Sequence, residues 1–287
     1  MISEEYVESF DGVKLYLRRD TVTKPLEARA VFVLCHGVTC EHRITWDYAT
    51  MRLNAQGYTV YRYDHRGHGR SEGERGGLKH WTDIVEDLDV IVRLAKEENP
   101  GKKIFLMGHS LGGGVVTSYG MLHPGSADGL IPVDGFCFDS AHVFGALPED
   151  DAPEEPVKSV DQAEDKDEYY DANCYAVDYN TDYATNDLII RSIGMGLVLS
   201  THEEIRLVRQ QAKNIVDPIM IINGQIDPLV LEADARRLYS EVSSKDKTLH
   251  ILGRMKHEVF NDIQKDEVID LVLLWARRQL AGTVTGF

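Results

Sequence analysis

Short apolar, β-branched runs alternate along this chain with segments whose apolar positions recur every three or four residues. The first kind reads as strand and the second as amphipathic helix. The strand candidates are residues 5–9, 13–19, 29–35, 59–64, 103–108, 135–140, 218–224 and 248–253. Helical spacing falls at 46–56, 82–98, 111–123, 231–242 and 266–280, several of these ending at Gly or Pro-Gly. Asp11-Gly12 between the first two runs is a hairpin signal, so the sheet should open with antiparallel strands. After them, strands separated by helices argue for a mainly parallel sheet covered on both faces.

One interval breaks the rhythm. From Val143 to Ala212 some seventy residues separate the sixth and seventh strand candidates, far more than a connection needs, so this stretch is expected to be an insertion. Residues 1–142 and 213–287 would then form the core domain, and 143–212 an inserted cap. Its first part is polar: between Glu149 and Asp182 thirteen Asp/Glu face only Lys158 and Lys166, a net −11 of the chain's −16. Its second part, residues 188–199, is nearly uncharged, and Leu188, Ile189, Ile193, Met195, Leu197 and Val198 are candidates to line a pocket for an apolar group.

The acidic balance opposes attraction to nucleic acid and to anionic membrane surfaces. Neither an 18-residue apolar span nor a secretory signal is visible, so a cytoplasmic protein with weak or no membrane association is expected. Cys35, Cys40, Cys137 and Cys174 lack metal-type spacing and read as reduced thiols. The sequence leaves the oligomeric state open.

The candidate chemistry lies where the fifth strand runs into a helix, at Gly108-His109-Ser110-Leu111-Gly112. G-x-S-x-G alone is a weak pattern, but between a strand and a helix of small residues it is the setting of a nucleophile elbow. A serine hydroxyl is a poor nucleophile at neutral pH and needs a histidine, which needs a carboxylate to set its tautomer. Both should follow later strands, at the edge of the sheet where functional groups gather. Asp227, after the 218–224 strand, and His257, after the 248–253 strand, fit this requirement. Asp139, at the end of the 135–140 strand, is a rival acid, whereas Asp217 precedes its strand and His250 lies within one. The N–H groups of Leu111 and Val38 would form the oxyanion hole, Gly37 turning the second toward Ser110.

These segments, LCHGVTCEH around His36-Gly37, YDHRGHGRSEG from Tyr63, GHSLGG, NGQIDPLV and MKHEVFND, together resemble the α/β-hydrolase superfamily. The narrower likeness is to its monoacylglycerol lipase and lysophospholipase branch, grouped with the serine aminopeptidase hydrolases. The resemblance implies an eight-stranded α/β-hydrolase fold with a lid after strand 6. It also implies ester hydrolysis without metal or organic cofactor, with Ser110 as nucleophile, His257 as base and Asp227 as its orienter. Asp64, Arg66, His68 and Ser71 would support the site's floor. A small-molecule acyl ester is the expected partner. An amidase or peptidase of the same fold and a non-catalytic ligand-binding relative are the alternatives.

Overall fold

A computed structural model of the chain describes residues 1–22, 28–135 and 174–282. Eight strands form one sheet: β1 Ile2–Glu8, β2 Lys14–Asp20, β3 Val31–Cys35, β4 Thr59–Tyr63, β5 Ile104–His109, β6 Gly129–Val133, β7 Ile219–Gly224 and β8 Lys247–Leu252. Their spatial order is β1-β2-β4-β3-β5-β6-β7-β8. β2 is antiparallel to β1 and to β4, and every other pairing is parallel. The hairpin turns at Gly12, whose φ of 89° suits glycine.

Seven described helices cover the sheet: α1 His42–Ala55, α2 Trp81–Glu98, α3 Leu111–Leu122, α4 Val177–Thr185, α5 Met195–Gln211, α6 Glu232–Glu241 and α7 Lys265–Ala281. The two-residue period of the strands decides which layer each side chain joins. Val31, Val33, Cys35, Ile104 and Leu106 pack under α2, α3 and α5. Phe32, Leu34, Phe105 and Met107 pack under α1 and α7, with Trp46, Val272 and Trp275. With both faces buried, the central strands are apolar throughout, which is why their sequences run without alternation.

Two boundaries differ from the sequence expectation. Helix α1 starts at His42 rather than at 46, because the buried Glu41 carboxylate caps it, accepting from the N–H of Arg43 (2.8 Å) and of Ile44 (3.2 Å). The sixth strand is formed by Gly129–Val133, earlier than the expected 135–140, of which residues 136–140 lie outside the described residues. Pro132 hid it, since a proline argues against a central strand. Leu130 and Asp134 donate their N–H groups toward β7, to Pro218 and Ile222, so the donor that Pro132 lacks belongs to that side of the ladder. β6 accordingly pairs with β5 at five positions but with β7 at only two.

Between β6 and β7 the chain carries α4 and α5, and α5 packs on α2 and α3. Of the expected insertion, residues 143–173 lie outside the described residues.

At the start of α3, helix backbone lies directly on strand backbone. A Cβ on Gly112 would stand 2.1 Å from the carbonyl oxygen of Cys35, and one on Gly108 2.0 Å from that of Gly112. Neither obstacle is a flexible side chain, so neither can move aside. Gly112→Ala should therefore cost more than about 3 kcal/mol of stability in a denaturant titration. Gly125→Ala, at a φ of 76° but in open space, should cost only about 1 kcal/mol.

Candidate active site

The turn between β5 and α3 places Ser110 at φ 55° and ψ −118°, a conformation a serine adopts only when its surroundings force it. The forcing groups are the Gly108–Gly112 contact and a hydrogen bond from Ser110 N–H to Val133 O (2.9 Å). Ser110 Oγ is buried and makes no hydrogen bond, so no structural partner occupies it. At the first position of α3, Leu111 N–H has no carbonyl four residues back within the helix. No backbone hydrogen bond among the described residues uses the N–H of Val38.

The loop after β7 brings Asp227 beneath His257, which follows β8. Asp227 Oδ2 accepts from His257 Nδ1 at 2.8 Å. Asp227 Oδ1 is held by the N–H groups of Leu229 (2.7 Å) and Val230 (3.0 Å). Nδ1 thus carries the proton, and Nε2 is left as the free nitrogen of the ring. Burial alone would lower the His257 pKa, but the charge and hydrogen bond of Asp227, aided by Glu258, outweigh it and hold it above the ordinary histidine value. In turn burial would raise Asp227, and the imidazole and the loop N–H groups instead bring it below the usual carboxylate range.

His257 and Ser110 line one cavity, shared with Gly37 and Val38. Its outer wall comes from Tyr179 and Tyr183 of α4, with Leu229 and Glu258. The Tyr183 hydroxyl is hydrogen-bonded to the Thr39 hydroxyl. Beside the serine, His109 Nε2 donates to His257 O at 2.9 Å, bracing the loop that carries the imidazole. Burial lowers the pKa of His109, leaving it neutral.

The six apolar residues expected to line the pocket stand elsewhere among the described residues: none borders this cavity. Leu197 is in the main core, and Ile189 packs with Cys40 and Tyr183. Ile193, Met195 and Val198 pack behind Leu229, the residue that does face the cavity. Leu188 donates its N–H to the Asn186 side chain (Oδ1, 2.9 Å), and its carbonyl accepts from Arg75. The rival acid Asp139 lies outside the described residues. Asp217 sits away from the site and accepts from the N–H groups of Gly125 and Ala127.

Two buried clusters offer three metal-type donors within 4.8 Å: His109, His257 and Glu258, and Glu41, His42 and Asp64. In the first, Asp227 and a backbone carbonyl already engage one nitrogen of each histidine. In the second, His42 Nδ1 and Asp64 Oδ1 bond to each other at 2.7 Å.

The floor of the site is stitched by the 64–71 loop. Asp64 accepts from His42 N and Arg70 N, both at 2.8 Å, and its carbonyl accepts from Ser71 Oγ at 2.5 Å. Arg66 is clamped by Asp87 (2.6 Å) and Asp11 (2.9 Å). His36 Nε2 accepts from His65 N–H (3.0 Å), and His65 Nε2 donates to His36 O (3.1 Å), which fixes the loop bearing Gly37 and Val38. Burial takes the pKa of His65 down to about 3 and that of His68 to about 4, so both are neutral in the folded chain.

A parallel sheet with an antiparallel edge, a strained serine on the strand-to-helix turn, and a carboxylate–imidazole pair from the next two loops define an α/β-hydrolase. Residues 26–264 match the family model described as serine aminopeptidase, S33. The monoacylglycerol lipase of Mycolicibacterium smegmatis is 32% identical over 95% of this chain and 96% of its own length. Human monoglyceride lipase is 26% identical over 90% of this chain and 86% of its own. Among solved structures, the monoacylglycerol lipase of Paleococcus ferrophilus superposes with a TM-score of 0.75 at 25% identity, over 92% of this chain and 99% of that one. A soluble variant of the Saccharomyces cerevisiae monoglyceride lipase, in complex with a substrate analog, gives 0.81 at 19% identity, over 96% and 94%. The chain belongs to the serine aminopeptidase S33 family of α/β-hydrolases, in its monoacylglycerol lipase-like branch, as a carboxylic ester hydrolase.

The sequence reasoning missed Tyr179, Tyr183 and Glu258 on the cavity wall, and Asp134 behind Asp227. Glu258 directly follows His257 and could have been found from that adjacency; nothing in the sequence marked α4 as cavity wall.

The buried histidines have a measurable consequence. Because their folded pKa values lie below the unfolded one, the unfolded chain takes up more protons as pH falls below about 6.5. His65 and His68 together should remove about 2.7 kcal/mol of stability per pH unit between roughly pH 6 and pH 4, and His36, also lowered by burial, adds to this. Denaturant titrations across that range test it; a His65→Phe chain that still folds should show a slope shallower by about 1.4 kcal/mol per pH unit.

Proposed function

We propose that the chain hydrolyses carboxylic esters through an acyl-enzyme, with Ser110 as nucleophile, His257 as general base and then acid, and Asp227 as the group that orients it. The observation that carries this reading is the Asp227–His257 hydrogen bond, placed on the cavity that Ser110 lines. A rotation of the serine hydroxyl toward Nε2 would start the reaction. Oγ then bonds to the acyl carbon, its proton passes to Nε2, and the alcohol leaves with that proton. Water, deprotonated by the same nitrogen, attacks the acyl carbon, releases the acid and restores Ser110. The N–H groups of Val38 and Leu111 would receive the oxyanion in both halves.

The substrate class argued for is a monoacylglycerol, a lysophospholipid or a smaller acyl ester. The relatives named as monoacylglycerol and monoglyceride lipases support the first. The acid of residues 149–182 disfavours docking on an anionic bilayer, so a dispersed substrate fits best. Among the described residues no helix is long and apolar enough to cross a membrane. Residues 143–212 are read as a cap over the cavity, α4 supplying its wall.

Ser110→Ala should abolish turnover of p-nitrophenyl esters and labelling by a fluorophosphonate while leaving thermal unfolding nearly unchanged. Undiminished turnover would remove the proposal. An anilide series beside the ester series separates esterase from amidase. A panel of acyl lengths, with monoacylglycerol and lysophospholipid included, ranks the substrates.

His257 works as a base only when neutral, and its pKa is held above the ordinary histidine value of about 6.5. The acid limb of kcat/KM should therefore lie above pH 6.5, with activity lost as pH falls through it. A limb well below pH 6 would show that Asp227 does not hold the imidazole in the working enzyme.

A further inference from the structure

Asp134 lies at the end of β6, fully buried, at a φ of 46° that is unusual for any residue but glycine. Its Oδ1 accepts from Gly224 N–H at 2.7 Å, and its own N–H donates to Ile222 O at 3.0 Å. It thereby joins β6 to β7 just past Pro132, where the ladder lacks a donor. Residues 133 and 134 therefore hold both halves of the site. Val133 O fixes the backbone of Ser110, and Asp134 fixes the end of the strand from which Asp227 departs.

The second oxygen, Oδ2, is buried and no N–H or O–H donor reaches it. Beside the carboxyl lies the side chain of Asp227, the neighbouring charge that acts on it most strongly. Two carboxylates cannot share such a buried contact while both are charged; one of them must hold a proton. The donor count says which. Asp227 accepts three N–H bonds, from Leu229, Val230 and His257, whereas Asp134 accepts one. Charge is stabilised where donors are many, so Asp227 is the anion.

We propose that Asp134 is a positioning residue of this site: a carboxylic acid that keeps its proton and donates it as a hydrogen bond to Asp227. The bond holds Asp227 in line with His257 Nδ1 and disperses part of its charge, moderating the basicity of the imidazole. Burial and the neighbouring charge of Asp227 both favour the neutral form of Asp134, and Glu258, from the loop after β8, acts in the same direction. His257 faces Asp227 rather than Asp134 in the contacts of this network. The proposal rests on the catalytic reading of Asp227 and His257 for its kinetic consequences, though not for the proton itself.

Asp134→Asn preserves a donor toward Asp227 and an acceptor for Gly224 N–H without changing the charge. It should keep kcat/KM within about threefold and leave the acid limb of the pH profile in place. Asp134→Ala removes the donor; kcat should fall about tenfold at unchanged KM, and the acid limb should rise by about half a pH unit. Infrared spectra at neutral pH test the proton directly: the difference between the native protein and Asp134→Asn should contain the C=O stretch of a protonated carboxyl. Absence of that band, or an acid limb that moves downward in Asp134→Asn because a negative charge was lost, would overturn the proposal. So would an Asp134→Ala protein with an unaltered kcat and limb. Should Asp134→Ala fail to fold, the infrared comparison decides alone. It needs no substrate, so a protein without esterase activity would count against the function proposed above and leave this result standing.

Discussion

The structure depends on one close approach of backbone to backbone. Helix α3 begins against β3 and β5 with no side chain between them, at Gly108 and Gly112, and this contact holds Ser110 in a strained turn at the sheet's C-terminal edge. The strain, of order 1–3 kcal/mol for such a conformation, is sustained by the two packed layers on either side of the sheet. Because the turn is fixed, the first helical N–H and the hydroxyl are presented together, one for developing negative charge and one for bond formation. The parallel order of β5 to β8 then delivers Asp227 and His257 to the same edge from the next loops.

Around that edge the chain buries an uncommon number of titratable groups, and their neighbours sort them by charge. Asp227 is surrounded by donors and stays ionised, Asp134 is poor in donors, and His36, His65 and His68 are neutral braces with their polar atoms turned largely to backbone. At His257 the charge and hydrogen bond of a neighbouring carboxylate outweigh burial. A site arranged this way spends its hydrogen bonds on holding one base in one tautomer. The same network explains why the HG and DHRGHG segments matter although none of their side chains is assigned a step in the reaction.

Much of this was legible in the sequence, for physical reasons that differ from element to element. Strands buried on both faces announce themselves as unbroken apolar runs, so β3, β5 and β7 were read within a residue or two. The Ser110 turn was legible because only glycine tolerates the contacts it makes. Asp227 and His257 were legible from topology, since each follows a strand directly. Strand β6 was misplaced because Pro132 obeys the local rule against central strands while the fold absorbs the missing donor at one edge of the pair. Helix α4 and its two tyrosines were hidden in a polar, acidic stretch without apolar periodicity. The cavity wall was misassigned for a related reason: the apolar residues at 188–199 are spent on packing the insertion to the core, and apolar character alone does not distinguish packing from lining.

The central claim is that an acyl group passes through Ser110. Rapid acid quench of the native protein during turnover of a chromogenic ester, followed by peptide mass spectrometry, tests it most directly. The account predicts one added acyl mass, carried on the peptide that contains Ser110 and gone when the substrate is exhausted. An acyl group found on another residue, or steady turnover with no acylated protein at any quench time and no burst of alcohol release, would contradict it.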